Sequence, residues 1–279
     1  MTLPRDLGDG LMLRRSTPED TEALADFNAR IQSDDGPDQP DESLAIWVRD
    51  LMRGTHPTFD PADFTLVEDT RAHKIVSTLS LFSQTWAYEG IPVGVGRPEL
   101  VGTLPQYRRK GLVRLQMDAV HAWSAARGEI MQVITGIPWY YRQFGYEMAL
   151  ELSGGRIGYR PHVPRLKAGE TEPVHLRPAT LADIPTIQEA YAELGKTHLF
   201  TCVRDEAMWR YEIAGRSPHS QVQVEVYLIE TPAGEPLGFA GLSNQLSGPT
   251  LALLYYALRP GASWLETTPS VIRTLEQRG

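Results

Sequence analysis

Cysteine is almost missing from this chain: Cys202 is the only one in 279 residues. No internal disulfide can form, so stability must come from a packed core, as suits a reducing compartment. Metal chemistry is equally poorly supplied, because the seven histidines and the one cysteine never fall at ligand spacing. Long apolar runs are absent too. The longest, Leu251 to Leu258, is far below the roughly 20 residues a membrane-spanning helix needs. The opening Met-Thr-Leu-Pro-Arg-Asp-Leu-Gly-Asp has no apolar core of signal length. A cytoplasmic protein with no membrane partner is expected. Positive charge is in deficit, with 27 Lys and Arg against 35 Asp and Glu for a net charge of −8. That balance argues against nucleic acid as a partner.

What is present is an ordinary globular composition, 42% hydrophobic and 22% charged, in a chain long enough for two modest domains. Against the acidic background one stretch stands out, Glu99 to Arg114. A short apolar run (Leu100, Val101, Leu104) reads as a buried strand, and Pro105 stops its ladder because it has no N–H to donate. Arg108, Arg109 and Lys110 follow, then Gly111, then apolar residues at helical spacing (Leu112, Leu115, Ala119, Val120, Trp123). Strand, basic loop, glycine and helix together form an anion cradle. The glycine lets a ligand approach the backbone, and the free N–H groups and dipole of the helix start favour phosphate. A cationic surface turn is the plainer alternative.

Elsewhere the pattern is mixed α and β. Leu11 to Leu13 reads as a first strand, and Thr17-Pro18-Glu19-Asp20 as a helix start, with Thr17 as the cap. An acidic segment, Ser33 to Ser43, precedes a second helix carrying Trp47. Phe64–Glu68 and Ile75–Phe82 read as antiparallel strands, and Trp86 and Tyr88 precede a turn that leads back to the Leu100 strand. The helix after the cradle stops near Ala126-Arg127-Gly128. Ile130 to Ile134 is then expected to be a buried strand parallel to Leu100–Leu104, because a helix crosses between them. Met148 to Tyr159 is read as the closing strands, broken at Gly154-Gly155.

The loop Pro-Gln-Tyr-Arg-Arg-Lys-Gly-Leu-Val resembles the pyrophosphate loop of the GNAT superfamily of acyl-CoA N-acyltransferases, Gln/Arg-x-x-Gly-x-Gly/Ala. Arg108 and Gly111 match it, and Val113 stands where a small residue is usual. Tyr141-Arg-Gln-Phe-Gly-Tyr146 is similar to the Tyr-x-x-x-Gly-Phe/Tyr element that closes the same fold. Consecutive basic residues and the larger apolar residue look more like the enhanced-intracellular-survival branch, which carries two tandem GNAT units. The chain also repeats itself. Leu176-Arg-Pro-Ala-Thr-Leu-Ala-Asp183 echoes Leu13-Arg-Arg-Ser-Thr-Pro-Glu-Asp20, and Leu251–Leu258 with Pro260 echoes Leu100–Leu104 with Pro105. After Pro260 no basic loop follows.

The expected fold is therefore α+β, with two tandem GNAT-type units. Each has a mixed, largely antiparallel sheet flanked by helices, and the first has a splayed parallel strand pair. Residues 1–160 form the catalytic unit, 161–174 a linker, and 175–279 a second unit without a cofactor loop and cut short. The third domain of the resembled branch is not expected in this chain.

The resemblance implies acetyl-CoA as cofactor and a small-molecule or peptide amine as acceptor. Arg108, Arg109, Lys110, Gly111, Leu112, Val113 and Arg114 would meet the pyrophosphate. Val101, Gly102 and Thr103 would offer backbone to the pantetheine arm and the oxyanion, with Gly136 and Ile137 across the slot. Tyr141 is the candidate general acid, favoured over Tyr140 by its spacing to Phe144-Gly145; a packed core aromatic is the alternative. Glu99 at the head of the cradle strand is the candidate base, or else a solvated carboxylate. In the resembled branch the far C-terminal carboxylate is the base, and this chain is expected to lack the domain that would deliver it. Asp34, Asp35 and Asp38 lie in the loop that borders the acceptor in this superfamily. They would attract a cationic amine such as an aminoglycoside, a polyamine or a lysine side chain, unless the loop is only solvated with Asp41 as a helix cap. Trp47 and Trp86 could wall that site or pack in the core. A homo-oligomer is compatible with all of this. The rival function is a GNAT-fold sensor or scaffold that binds acyl-CoA without turnover.

Overall fold

The computed structural model describes residues 3–137, 139–150, 157–246, 248 and 250–278. The chain divides into two units, residues 1–152 and 153–279. The first contains β1 (Arg5–Gly8), β2 (Leu11–Arg15), α1 (Thr21–Ile31), α2 (Glu42–Met52), β3 (Phe64–Asp69), β4 (Lys74–Tyr88), β5 (Ile91–Thr103), α3 (Leu112–Ala126) and β6 (Met131–Gln132). These strands form a sheet in the order β1-β2-β3-β4-β5-β6, antiparallel except between β5 and β6. Thr17 does open the first helical segment, but as a 3-10 turn over Pro18–Asp20, with Thr17 N donating to Asp20 Oδ2 at 2.8 Å. Helices α1 and α2 cover one sheet face through Leu24, Phe27, Leu51, Phe64 and Leu100. Helix α3 covers the other through Met117 and Val120 on Leu79 and Leu81. Each fully buried side chain of this size contributes roughly 1.5–3 kcal/mol.

The hairpin of β4 and β5 is much longer than the sequence pattern suggested. It runs from Ser77↔Thr103 to Tyr88↔Ile91, so Trp86 and Tyr88 belong to the strand itself. Its two-residue turn, Glu89-Gly90, has φ of 45° and 81°, the left-handed pair that matches strand twist. The parallel neighbour β6 pairs with Val95 and Gly96, not with Leu100–Leu104. Gly94, Gly96 and Pro98 turn their backbone toward β6: Ile130 N donates to Gly94 O (3.1 Å) and Val133 N to Gly96 O (3.0 Å). Pro98 comes next in that series and has no N–H, so the ladder ends there. Immediately beyond, a β-bulge spans Leu100 and Val101, with Leu100 at φ 53°. Side chains satisfy the disturbed carbonyls: Thr78 Oγ1 donates to Leu100 O (3.0 Å), Ser80 Oγ to Glu99 O (3.0 Å) and Ser77 Oγ to Gly102 O (2.9 Å). The two strands part at that point. The expected buried strand Ile130–Ile134 shrinks to Met131–Gln132, and Ile130 is exposed. Of the expected closing strands, residues 151–156 lie outside the described residues, and Met148–Leu150 and Ile157–Tyr159 are not strand.

The second unit contains β7 (His175–Pro178), α4 (Ile184–Gly195), β8 (Phe200–Cys202), α5 (Glu206–Arg210), β9 (Val224–Glu230), β10 (Pro236–Ser243), β11 (Leu253–Leu258) and α6 (Trp264–Arg278). Four of its strands form an antiparallel sheet in the order β11-β10-β9-β7. The echoed residues of the sequence do the same work in both units. Arg14 grips Asp20 with two bonds (2.7 and 2.8 Å) and donates Nε to Glu68 (3.0 Å). Arg177 grips Asp183 with two bonds (2.8 and 2.8 Å) and donates Nε to Glu230 (2.9 Å). In each unit the arginine fastens the turn before the first helix to the end of the next strand in the sheet. A register shift also interrupts β11, between its pairs with Gly241 and Leu242. The segment expected as a linker is tied along α6, Arg165 to Glu276 (2.6 Å) and Glu172 to Arg273 (2.6 Å).

Candidate active site

The basic loop sits where β5 leaves the sheet. Pro105–Tyr107 makes a 3-10 turn, Arg109 adopts φ 63°, and Gly111 caps α3 at φ 75°. Left-handed residues in such a turn direct successive N–H groups to one side, as in an anion nest. The first bond of the α3 ladder runs from Leu115 N to Gly111 O (3.1 Å), so the amides of Leu112, Val113 and Arg114 precede it. They face outward at the positive end of a 15-residue helix. A Cβ at Gly111 would meet nothing within 4 Å. The glycine is there for its φ, and the space above it is open.

A cleft of about 700 Å³ opens over this loop. Val101, Gly102 and Thr103 form one wall, Arg108, Arg109, Gly111, Leu112, Val113 and Arg114 the floor, and Ile137, Tyr140 and Tyr141 the far wall. Gly136 lies beneath the Tyr141 ring, where a Cβ would sit 3.1 Å from Cδ2. Lys110 holds its ammonium over the Tyr107 ring at 5.6 Å. Arg114 donates to Gln143 Oε1 (3.2 Å) and stacks over Phe144 at 4.9 Å, joining the floor to the far wall.

Tyr141 is half-buried, and its phenol has no hydrogen bond among the described residues. Burial, with Tyr140 and Glu99 adding, pushes its pKa up to about 12. It therefore keeps its proton at neutral pH. Tyr140 meets it edge-on at 5.1 Å and lines the same cleft. Glu99 is largely buried on the α1–α2 face of β5, and burial pushes its carboxyl up while Arg97 pulls it back. Arg97 Nη2 stands 2.6 Å from Glu99 Oε1, an ion pair without hydrogen-bond geometry. Arg97 was not singled out from the sequence; its spacing of two residues from Glu99 on a strand was the available signal.

The remaining candidates lie apart from the cleft floor. Asp34, Asp35 and Asp38 are exposed in the turns between α1 and α2. Asp41 caps α2, its carboxylate accepting from Ser43 N (2.9 Å) and Leu44 N (3.3 Å). Trp47 stacks on core residue Phe82, ring centres 6.3 Å apart. Trp86 pairs with Val93 near the hairpin turn and donates its indole N–H to Gln84 Oε1 (3.0 Å). Among the described residues no group of three or more His, Cys, Asp or Glu could hold a metal. No helix among them is long and apolar enough to cross a membrane.

A sheet that opens beside an anion-binding helix start, with a protonated tyrosine across the gap, is an arrangement suited to acyl transfer from a phosphate-bearing carrier. Residues 12–149 match the family described as an acetyltransferase (GNAT) domain. The first unit is a GNAT domain, of the acyltransferase class. Solved structures share the fold at low identity. A probable N-acyltransferase of Enterococcus faecalis is 13% identical with a TM-score of 0.66, over 96% of this chain and 63% of that one. A GCN5-related N-acetyltransferase of Kribbella flavida is 19% identical with a TM-score of 0.63, over 96% and 61%. Saccharomyces cerevisiae N-myristoyltransferase with bound myristoyl-CoA is 14% identical with a TM-score of 0.65, over 99% and 73%. The chain thus spans less than two thirds of the two bacterial proteins. No curated protein matches the sequence.

Proposed function

We propose that the first unit transfers an acetyl group from acetyl-CoA to an amine. The observation that carries this is the open cleft, where unspent amides at the α3 start and the Tyr141 phenol face one another across the parted strands. The residues present fit the carrier: Arg108 to Arg114 supply amides and cations for a diphosphate, and Val101 to Thr103 supply strand backbone for an amide-bearing arm. The thioester brings the activated acyl group. Tyr141 holds a proton for the departing thiolate, and Glu99 takes the proton of the amine, with Arg97 favouring its charged form. Exposed Asp34, Asp35 and Asp38 favour a cationic acceptor.

In this reading residues 175–279 are a second GNAT-type unit, in the manner of the enhanced-intracellular-survival branch, with 1–160 catalytic and 161–174 between them. The repeated Arg–Asp–Glu network supports it. That unit would hold no cofactor. Gly-Ala-Ser-Trp follows Pro260, and Tyr255, at the place of Leu100, packs against Trp209 and takes a bond from Arg204. The sensor alternative has one observation in its favour, the Arg97–Glu99 pair, which leaves the base engaged. An acetylation screen across cationic and neutral amines, read as thiol release, decides between them. Turnover with any amine supports the enzyme, and tight coenzyme A binding without turnover supports the sensor.

A further inference from the structure

The bulge gives β5 an unusual edge. Leu104 N donates to Val76 O (3.0 Å), and Gly102 O accepts from Ser77 Oγ, so residues 102 and 104 turn their backbone toward β4. Val101 and Thr103 alternate with them and turn theirs toward the cleft, where β6 has departed. Neither cleft-facing carbonyl is bare. Val101 O accepts from Gln32 Nε2 at 3.0 Å, and Thr103 O from Arg108 Nε at 3.2 Å. An open strand edge is thus blunted by two side-chain donors. Gln32 is exposed and lies at the C-terminal cap of α1. It is brought to β5 because Ile31 packs directly on Gly102, where a Cβ would come within 2.7 Å of Ile31 Cγ2.

We propose that Gln32 is a displaceable stand-in for the amide N–H of the ligand arm, and so a specificity-determining residue of the cleft. The proposal rests on the carrier-binding reading above. In the free protein its carboxamide satisfies Val101 O. An arm that brings its own N–H to that point takes the bond over, and the exposed Gln32 returns to water at little cost. An arm without a donor there must either leave Gln32 in the way or strand the carbonyl. The edge thereby selects for an amide-bearing chain, independently of the phosphate contacts.

The test is titration calorimetry on the full chain and on Gln32→Met, which keeps the side-chain length and removes the donor. Two probes are used: coenzyme A, and 3′-phosphoadenosine 5′-diphosphate, which has the phosphates but no amide arm. With no internal bond to break, Gln32→Met should bind coenzyme A roughly two- to tenfold tighter, with affinity for the nucleotide unchanged. Unchanged or weaker coenzyme A binding, or an equal shift for both probes, overturns the stand-in role. Failure of both probes to bind the parent protein overturns instead the carrier-binding reading beneath it.

Discussion

Replacing Tyr141 with phenylalanine removes one oxygen and leaves the packing in place. The ring lies on Gly136 and against Phe144 and Tyr146, contacts that phenylalanine keeps. The hydroxyl has no hydrogen bond among the described residues, so stability should change by less than ~0.5 kcal/mol. Its chemistry is another matter. A cysteine-like thiol has an ordinary pKa of about 8.5, while burial holds the phenol at about 12. Complete transfer to a free thiolate is therefore uphill, and Tyr141 acts by sharing its proton with the charge that develops on sulfur. A raised pKa keeps an acid protonated, so Tyr141 remains a donor across the usual assay range. A positioned general acid contributes roughly 10²–10⁴-fold, or about 3–5 kcal/mol of barrier. Turnover should therefore fall by roughly 10² or more, with coenzyme A affinity within about twofold, because the interaction lost is made in the transition state. Thiol release under saturating amine measures the first quantity and calorimetry the second. An acyl donor with a more acidic leaving thiol should recover much of the loss, since it departs without a proton. Near-normal turnover, or affinity falling in step with rate, would refute the assignment.

Removing the exposed cations with Arg109→Ala and Lys110→Ala should weaken coenzyme A binding. At roughly 0.2–1 kcal/mol for each exposed ion pair with phosphate, the two are worth about 2–30-fold at low salt and less at high salt; a salt-independent loss would point to damage rather than electrostatics. For Glu99, the base must be ionised, and burial raises its pKa. The acid limb of kcat/KM should lie above the ordinary carboxylate range and vanish, with most of the rate, in Glu99→Gln. Because the folded pKa is the higher one, this carboxyl's contribution to stability is present at low pH and lost as pH rises through the folded value. Parent minus variant stability, from denaturant titration, should accordingly fall with increasing pH, and a rise would contradict the burial argument. Converting Asp34, Asp35 and Asp38 to asparagine should raise KM for cationic amines and leave neutral ones unaffected; equal effects on both would remove the loop from acceptor recognition.

The cradle was readable from residues alone because its chemistry is local. Pro105, the cation triplet and Gly111 each fix backbone or charge within a few positions, and a helix start needs nothing distant to become an anion site. The repeated Arg-Thr-Asp pattern was readable for the same reason, although its third partner, Glu68 in one unit and Glu230 in the other, comes from a strand more than fifty residues away. The Leu100 bulge, the parting of β5 from β6 and the Arg97–Glu99 pair carry no comparable signature. The crossing helix led to a parallel pairing at Leu100–Leu104, because a crossover shows that two strands are parallel and alternation that each exists, but neither shows where the pairing stops. Local order along the chain thus determines which turns can grip an anion. Which carbonyls face the gap, and that Gln32 reaches one of them, follows from long-range pairing and from the close seat of α1 on Gly102. Those are properties of packed surfaces, and no single segment contains them.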